Sequence, residues 1–366
     1  MEQKELEAIV SKFNIAGEPE SIKPLGNGLI NSTYKVTTKG ADTPDYVLQC
    51  INHNVFPDID MLMGNIIAVT AHIRKKLAEA GETDIERHCL RFIPLKDNAD
   101  KYYYFDGAKY WRVMVFIPGT VTKEAVTPES SYEVGVAFGN FESMLADIPV
   151  QLGETIKDFH NMEFRLKQLR EAVSANKSGR LDKVKDLVSD IESRAEKMTL
   201  AERLHREGKL PKRICHCDTK VNNMMFDAKT DKVLCVIDLD TVMPSYVFSD
   251  FGDFLRYAAN TSKEDEEDLS KVNFNLGIFK PFAEGYLKSA GSFLTPVEID
   301  NLPYAAELFP YMQAVRFLAD YIDGDKYYQI KYPEHNLVRT KAQYKLFLSA
   351  EQQEQEMKDI INSIRP

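Results

Sequence analysis

The hydrophobic rhythm of the chain changes once. From about residue 20 to 117 it runs in short segments, SIKPLGNG, INSTYKVTT, YVLQCIN, KYYYFDG and KYWRVMVFI, rich in β-branched and aromatic residues and separated by turn residues. This pattern predicts strands, interrupted by one helix over about 60–80. Beyond IPGT at 117–120 the apolar residues fall at three-and-four spacing over 129–147, 163–178, 181–208, 263–288, 311–323 and 337–363. Those segments predict helices, and Thr261-x-x-Glu264 reads as a capping box that opens the fourth. The acidic run Glu264 to Asp268 would then be the solvated, dipole-matched first turn of that helix. The expectation is an α+β protein: a small antiparallel β-rich lobe with one main helix at 1–117, and a larger, mainly helical lobe at 118–366. The hinge falls near Pro118-Gly119, and no internal repeat or low-complexity segment is visible.

Inside the helical half lies one island of strand-like character, 213–240. It runs through RICH, a polar loop, NMMF, the turn DAKTD and KVLCVID. The loop concentrates one His, one Asp, one Lys and two adjacent Asn at strand ends, where a rigid scaffold presents side chains to a cleft.

Composition narrows the possibilities. With 366 residues the chain is long enough for two domains or for two lobes with a cleft. A net charge of −10 argues against general binding to nucleic acid or an anionic membrane, while leaving room for a local phosphate pocket. No apolar run approaches the roughly 20 residues of a membrane span, and MEQKELEAIVSKFNIAG lacks the pattern of a signal peptide. Five scattered cysteines read as reduced thiols, so the expected location is cytoplasmic and the N-x-S/T matches at Asn31 and Asn260 imply no glycan. Oligomeric state is not legible.

The island has a chemical reading. In His216-x-Asp218-x-Lys220-x-x-Asn223, Asp218 can accept a proton from a hydroxyl nucleophile, and Asn223 can offer an amide oxygen to a cation. Asp238 closes the strand VLCVID twenty residues after Asp218 and can bind Mg²⁺. Phosphoryl transfer needs this set, one group on the acceptor and hard oxygens holding the metal against phosphate. The alternative is an Asx-rich turn that caps a hairpin. Cys215 and Cys217 share one strand face with His216 on the other, which speaks against zinc.

The string resembles the catalytic loop of protein kinases, and of the aminoglycoside and choline kinases that share their fold. The resemblance implies a two-lobed protein-kinase-like fold with ATP and Mg²⁺ between the lobes. It implies Asp218 as base, Asn223 and Asp238 as metal ligands, and His216 and Asp250 as structural support. The literal Asp250-Phe251-Gly252 is a decoy, since it lies 32 residues after Asp218. Gly26, Gly28 and Asn31, around the hairpin signal Asn27-Gly28, would approach the phosphates, and the main chain near Val115 and Ile117 would meet adenine. An ordinary hairpin is the competing reading of the glycines. In YVLQCIN, Gln49 stands where the kinase pattern has a phosphate-contacting Lys, and the following helix lacks the partner Glu around 62–71. A buried Glu without its Lys would be costly. The expectation is that Lys220 supplies much of the positive charge at the transferred phosphate.

More narrowly, the chain is similar to bacterial N-acetylhexosamine 1-kinases, in YVLQ, NVFPD, CHCDTKVNN, IDLDTVMP, DFGD, EDLSKV, RFLADYIDGD and KYPEHNLVRT. That resemblance implies transfer to the anomeric hydroxyl of N-acetylglucosamine or N-acetylgalactosamine, with Thr241 and Arg316 holding the sugar. An ion pair with Asp320 one turn on is the plain alternative for Arg316, and packing is the plain alternative for Tyr327, Tyr328 and Tyr332. Leu29 stands where a family relative is expected to carry His. Choline, ethanolamine, homoserine or an aminoglycoside would be alternative acceptors, and a nucleotide-binding pseudokinase is the alternative outside enzymes.

Overall fold

The computed structural model describes residues 3–26 and 30–365. Gly28 and Leu29 therefore lie outside the described residues. The chain forms two compact units, one of Met1–Thr122, Asp147–Lys157 and Met224–Met243, the other of Lys123–Ala146, Asp158–Asn223 and Pro244–Pro366. The hydrophobic rhythm marked one change near 117, whereas the chain passes between the units five times. Long-range pairing draws the later segments back, and no local pattern encodes it.

In the first unit, helix α1 (Gln3–Val10) leads into strands β1 (Pro19–Pro24), β2 (Ser32–Thr38) and β3 (Tyr46–Ile51). Helix α2 (Ile59–Glu79), the single turn α3 (Ile85–His88), and strands β4 (Tyr104–Phe105) and β5 (Tyr110–Val115) follow. The five strands form an antiparallel sheet in the order β1-β2-β3-β5-β4. Alternation sends Val36, Tyr46, Leu48, Trp111 and Val113 into a core that Leu6, Val10 and Phe13 close. Helix α2 starts where Asp58 accepts the Met61 N–H, and it buries Leu62, Ile66, Val69 and Ile73 along one stripe. Strand β6 (Thr120–Val121) pairs with β8 (Met224–Asp227), which pairs with β9 (Val233–Val236). Strand β7 (Arg213–Cys215) precedes them in the other unit.

The second unit is helical: α4 (Pro128–Leu145), α5 (Met162–Ala175), α6 (Lys185–Ser193), α7 (Ala195–Met198) and α8 (Leu200–Arg206) come first. Then follow α9 (Phe248–Ala258), α10 (Leu276–Ala290), α11 (Pro296–Asp300), α12 (Leu302–Asp323), α13 (His335–Gln352) and α14 (Glu354–Ile364). Helices α4 and α10 touch at backbone level. A Cβ on Gly285 would sit 2.1 Å from the Tyr132 carbonyl oxygen, and one on Gly135 would sit 2.3 Å from that of Phe282. No side chain fits at either position without moving a backbone.

Three helical expectations need correction. The span 263–288 is helical only from Leu276, where the Asn275 side chain accepts the Gly277 N–H. Thr261 caps nothing: its hydroxyl accepts the Asn273 N–H at 2.9 Å and donates to the Lys271 carbonyl. The acidic run is taken up by tertiary partners, Glu264 by Arg256 and Asp265 by Lys331 and His335. The span 181–208 breaks into a 3₁₀ turn and three short helices. Helix α12 begins nine residues before the expected Tyr311, because Pro303 sits in its first turn, where a missing N–H is harmless, and Pro310 is absorbed inside it.

Glu202 on α8 is 7% exposed. Its Oε1 accepts the Met162 N–H at 2.6 Å, while its Oε2 has no partner among the described residues. Burial pushes its pKa up to about 7. A raised carboxyl contributes its stability below the unfolded value near 4.3 and loses it as pH climbs through the folded value. Glu202→Gln keeps the acceptor and cannot ionise. The wild type should therefore lose about 1–3 kcal/mol relative to this variant between pH 4.5 and 8, read as diverging thermal midpoints. A pH-independent difference between the two proteins would contradict this.

Candidate active site

The polar loop after β7 is built around one buried carboxylate. Asp250, in the first turn of α9, is fully buried and accepts the backbone N–H groups of His216 and Cys217 at 2.7 Å each. Its own carbonyl accepts the Thr219 hydroxyl at 2.8 Å. Under this clamp Cys217 adopts φ 63°, the left-handed region that a residue with a Cβ enters at a penalty. His216 is buried, with the edges of Phe138 and Phe141 about it, and its Nδ1 accepts the Asp218 N–H at 3.3 Å.

A second carboxylate lies beneath the first. Burial, then the charge of Asp250, raises Glu142 well above the ordinary range, and the Tyr286 hydroxyl donates to it at 2.5 Å. Burial raises Asp250 as well, but the amides of Cys217 and His216 oppose it, so of the pair Glu142 is the one that holds a proton. Glu142, Cys215 and Asp250 stand close enough to suggest a metal site, but all three are buried, both Asp250 oxygens are taken by the loop amides and Glu142 Oε2 accepts from Tyr286. The Asp250-Phe251-Gly252 string is interior helix: Phe251 packs on Phe282 and Tyr286, and a Cβ on Gly252 would collide with the Ala305 carbonyl at 2.4 Å.

The clamped loop gathers Asp218, Lys220 and Asn223. The Lys220 ammonium lies 2.8 Å from Asp218 Oδ1, and the Asn223 amide nitrogen donates to the Asp218 carbonyl at 2.8 Å and to Oδ2 at 3.1 Å. Turning its nitrogen toward Asp218 leaves Asn223 Oδ1 without a donor among the described residues, as an oxygen ligand for a hard cation requires. Burial would lower the Lys220 pKa, but Tyr257 and Asp218 outweigh it and hold the ammonium above its ordinary range.

The first unit holds the remaining nucleotide and metal candidates. Asp238 is exposed, sits at φ 60° and opens the 3₁₀ turn Leu239–Thr241, where Thr241 is 8% exposed. Asp240 in that turn meets Arg112 of β5 at 2.5 Å, with both side chains almost wholly buried. Asn31 Nδ2 donates to the other Asp240 oxygen at 2.7 Å, while Asn31 Oδ1 accepts the Asn52 N–H. Gln49, opposite Arg112 in the sheet, accepts from its Nε at 3.0 Å and donates to Thr33. The amides of Asn31 and Gln49 are thus engaged inside the protein. Gly26 takes φ +71° with open space around it. The Val115 N–H bonds the Arg91 carbonyl, and the Ile117 carbonyl accepts from Thr120.

Arg112 and Asp240 carried a signal that sequence reading passed over: a lone Arg in an otherwise apolar strand, and a second Asp two residues after the first. Arg316 on α12 does not pair with Asp320. That carboxylate is saturated by the N–H groups of Lys326, Tyr327 and Tyr328 and by Asn336. Arg316 instead donates to Gln313 and lies over the rings of Phe159 and Tyr328.

An antiparallel sheet carrying one long helix, and a helical unit whose Asp-Lys-Asn loop hangs from a buried helix carboxylate, define a phosphotransferase of kinase-like architecture. The chain belongs to the phosphotransferase enzyme family, whose model matches residues 21–282. In fold it is similar to an amicoumacin kinase in complex with AMP-PNP, Ca²⁺ and Ami, at 13% identity and a TM-score of 0.59 with 94% of each chain covered. It is likewise similar to a microcompartment-associated aminopropanol kinase, at 14% identity and 0.58, covering 97% of this chain and 98% of that one. A choline kinase from Cryptosporidium parvum aligns at 16% identity and 0.58, covering 99% and 98%. The α+β expectation with a kinase-like fold holds.

Arg112→Met should lower the unfolding free energy by about 3–5 kcal/mol, because it leaves Asp240 buried without its cation. The double replacement with Asp240→Leu should recover most of that loss. Denaturant titration checks both; a single variant as stable as wild type would show that the pair does not matter to folding.

Proposed function

We propose that this protein is an ATP-dependent small-molecule kinase that phosphorylates the anomeric hydroxyl of N-acetylhexosamines to the sugar 1-phosphate. The observation that carries the kinase reading is the catalytic loop itself, with Asp218 set between Lys220 and Asn223 and the loop backbone fixed by Asp250. Membership of the phosphotransferase family supports it. The sugar assignment rests on the sequence resemblance, above all on RFLADYIDGD and KYPEHNLVRT.

In this reading Asp218 accepts the proton of the acceptor hydroxyl as that oxygen bonds to the γ-phosphorus, and the bond from phosphorus to the β-γ bridging oxygen breaks to release ADP. Lys220 pairs with Asp218 and orients it, and its ammonium offers positive charge to the transferred group. Asn223, through its open Oδ1, and Asp238 are the oxygen donors suited to Mg²⁺. Bound there, the metal would neutralise charge on the phosphates. Main-chain groups near Val115 and Ile117 are the proposed adenine contacts and Gly26 a proposed phosphate contact, with Thr241 and Arg316 on the sugar.

ADP release with Mg-ATP and a panel of N-acetylglucosamine, N-acetylgalactosamine, choline, ethanolamine, homoserine and an aminoglycoside tests the assignment. Turnover should be confined to the two sugars, and the product should lose phosphate in mild acid but survive mild base. Activity with choline or an aminoglycoside alone would replace the sugar assignment. Asp218→Asn should cut transfer by at least about a thousandfold while ATP binding persists. Lys220→Ala should reduce kcat more than Gln49→Ala does; the opposite order would place the phosphate-facing charge elsewhere.

A further inference from the structure

The second unit contains a cavity of about 410 Å³ between α5, α12 and the loop through Tyr327 and Tyr328. Its lining includes Arg165 and Arg316, and neither guanidinium has a carboxylate in ion-pair range among the described residues. Arg165 is only 9% exposed. Its Nε and Nη2 donate to the Phe159 carbonyl at 3.2 and 2.7 Å and its Nη1 to Gln168 at 2.8 Å, which fixes the fork yet leaves one N–H on each terminal nitrogen. Arg316 uses only Nη1, on Gln313 at 3.2 Å.

The carboxylates that also line the cavity are engaged elsewhere. Asp320 holds the loop backbone, Asp323 pairs with Lys177 and Lys326, and Glu171 faces Lys167. Asp158 lends Arg165 some opposite charge, but no carboxylate lining the cavity pairs with either guanidinium, and Arg165 is nearly buried. Burial, then repulsion from Arg316, pushes the Arg165 pKa down to about 10. A protein that wanted only packing here would gain by an apolar residue of similar size.

We propose that this cavity is a binding site for a ligand carrying an oxyanion, a carboxylate or a phosphate, on a body the size of a sugar, with Arg165 and Arg316 as its two guanidinium donors. A neutral ligand leaves the repulsion between them in place, whereas an anion removes it and takes up the open N–H groups in the bidentate manner guanidinium favours. The tyrosine rings at the rim suit the body of the ligand and not the charge. The inference goes beyond the N-acetylhexosamine reading, shares only Arg316 with it, and stands whatever the acceptor proves to be.

Calorimetric titration of the full-length protein saturated with AMP-PNP, which fills the nucleotide phosphate positions, tests this with matched probes. These are glucuronate against glucose, N-acetylglucosamine 6-phosphate against N-acetylglucosamine, and inorganic phosphate alone. At least one anionic member should bind about tenfold or more tightly than its neutral partner. Preference for glucuronate would assign a carboxylate, preference for the sugar phosphate a phosphate ester, and equal binding of free phosphate a site for the bare ion. Arg165→Gln and Arg316→Gln should each abolish the preference, and Arg165→Lys should retain part of it. Arg316→Gln serves as the deciding variant if Arg165→Gln fails to fold, because Arg316 is half-buried and makes one hydrogen bond. Equal affinity within both pairs together with no binding of inorganic phosphate, or an anion preference untouched in Arg316→Gln, would overturn the proposal. Turnover with the acceptor panel is read separately, so a failed sugar assignment would leave this result standing.

Discussion

One buried carboxylate organises the chemistry of the helical unit. Asp250 lies at zero exposure, where an uncompensated charge would be prohibitive, and it is tolerated because two backbone N–H groups converge on it. Those bonds are worth about 1.5–3 kcal/mol each when the acceptor is ionised. That outweighs the roughly 1–2 kcal/mol for holding Cys217 in the left-handed region. The balance favours a sharp bend immediately before Asp218, and the bend puts Asp218, Lys220 and Asn223 within hydrogen-bond reach of one another. Glu142 completes the arrangement. Because it takes the proton, only one negative charge needs to be stabilised in the interior, and the close approach of α4 and α10 through Gly135 and Gly285 brings Tyr286 to it.

In the other unit the same problem is solved with opposite charges. A Lys at position 49 would need an acidic partner, and α2 has none to offer on its buried face. Instead the charge sits one strand over, on Arg112, and its counter-ion is Asp240 in the turn that begins at Asp238. Gln49 is then not a vestige: its Oε1 accepts from Arg112 Nε, a role a lysine cannot perform. Through Asn31 the network also reaches the segment that leads into β2. A guanidinium can hold several acceptors at once where an ammonium is a compact point charge, which is why this substitution of roles works with Arg and not with Lys.

Much of the architecture was legible because amphipathic periodicity and caps act locally. Helices α4 and α5 begin within a residue or two of expectation, at the caps Thr127 and Asn161. Where expectation failed, a nonlocal partner won. Thr261 and Glu264 spell a capping box, yet Asn273 and Arg256 claim their side chains first. The loop residues Asp218, Lys220 and Asn223 could be named from spacing, since they lie within six positions. Arg112 with Asp240, and Arg165 with Arg316, are separated by more than a hundred residues, and nothing short of the fold brings such pairs together.

The helical unit therefore combines a loop of general design with a cavity of particular charge. A loop that orients one carboxylate and one amide oxygen is indifferent to which alcohol arrives, so discrimination must come from elsewhere in the unit. Two guanidiniums that no lining carboxylate pairs would repel a quaternary ammonium or a polyamine on approach, since desolvation near Arg165 weakens solvent screening. Hydroxyl-rich neutral or anionic ligands meet no such penalty, and guanidinium donors match their oxygens. At the cavity proposed above, charge at Arg165 and Arg316 thus acts first by exclusion, before any specific hydrogen bond to a ligand is made.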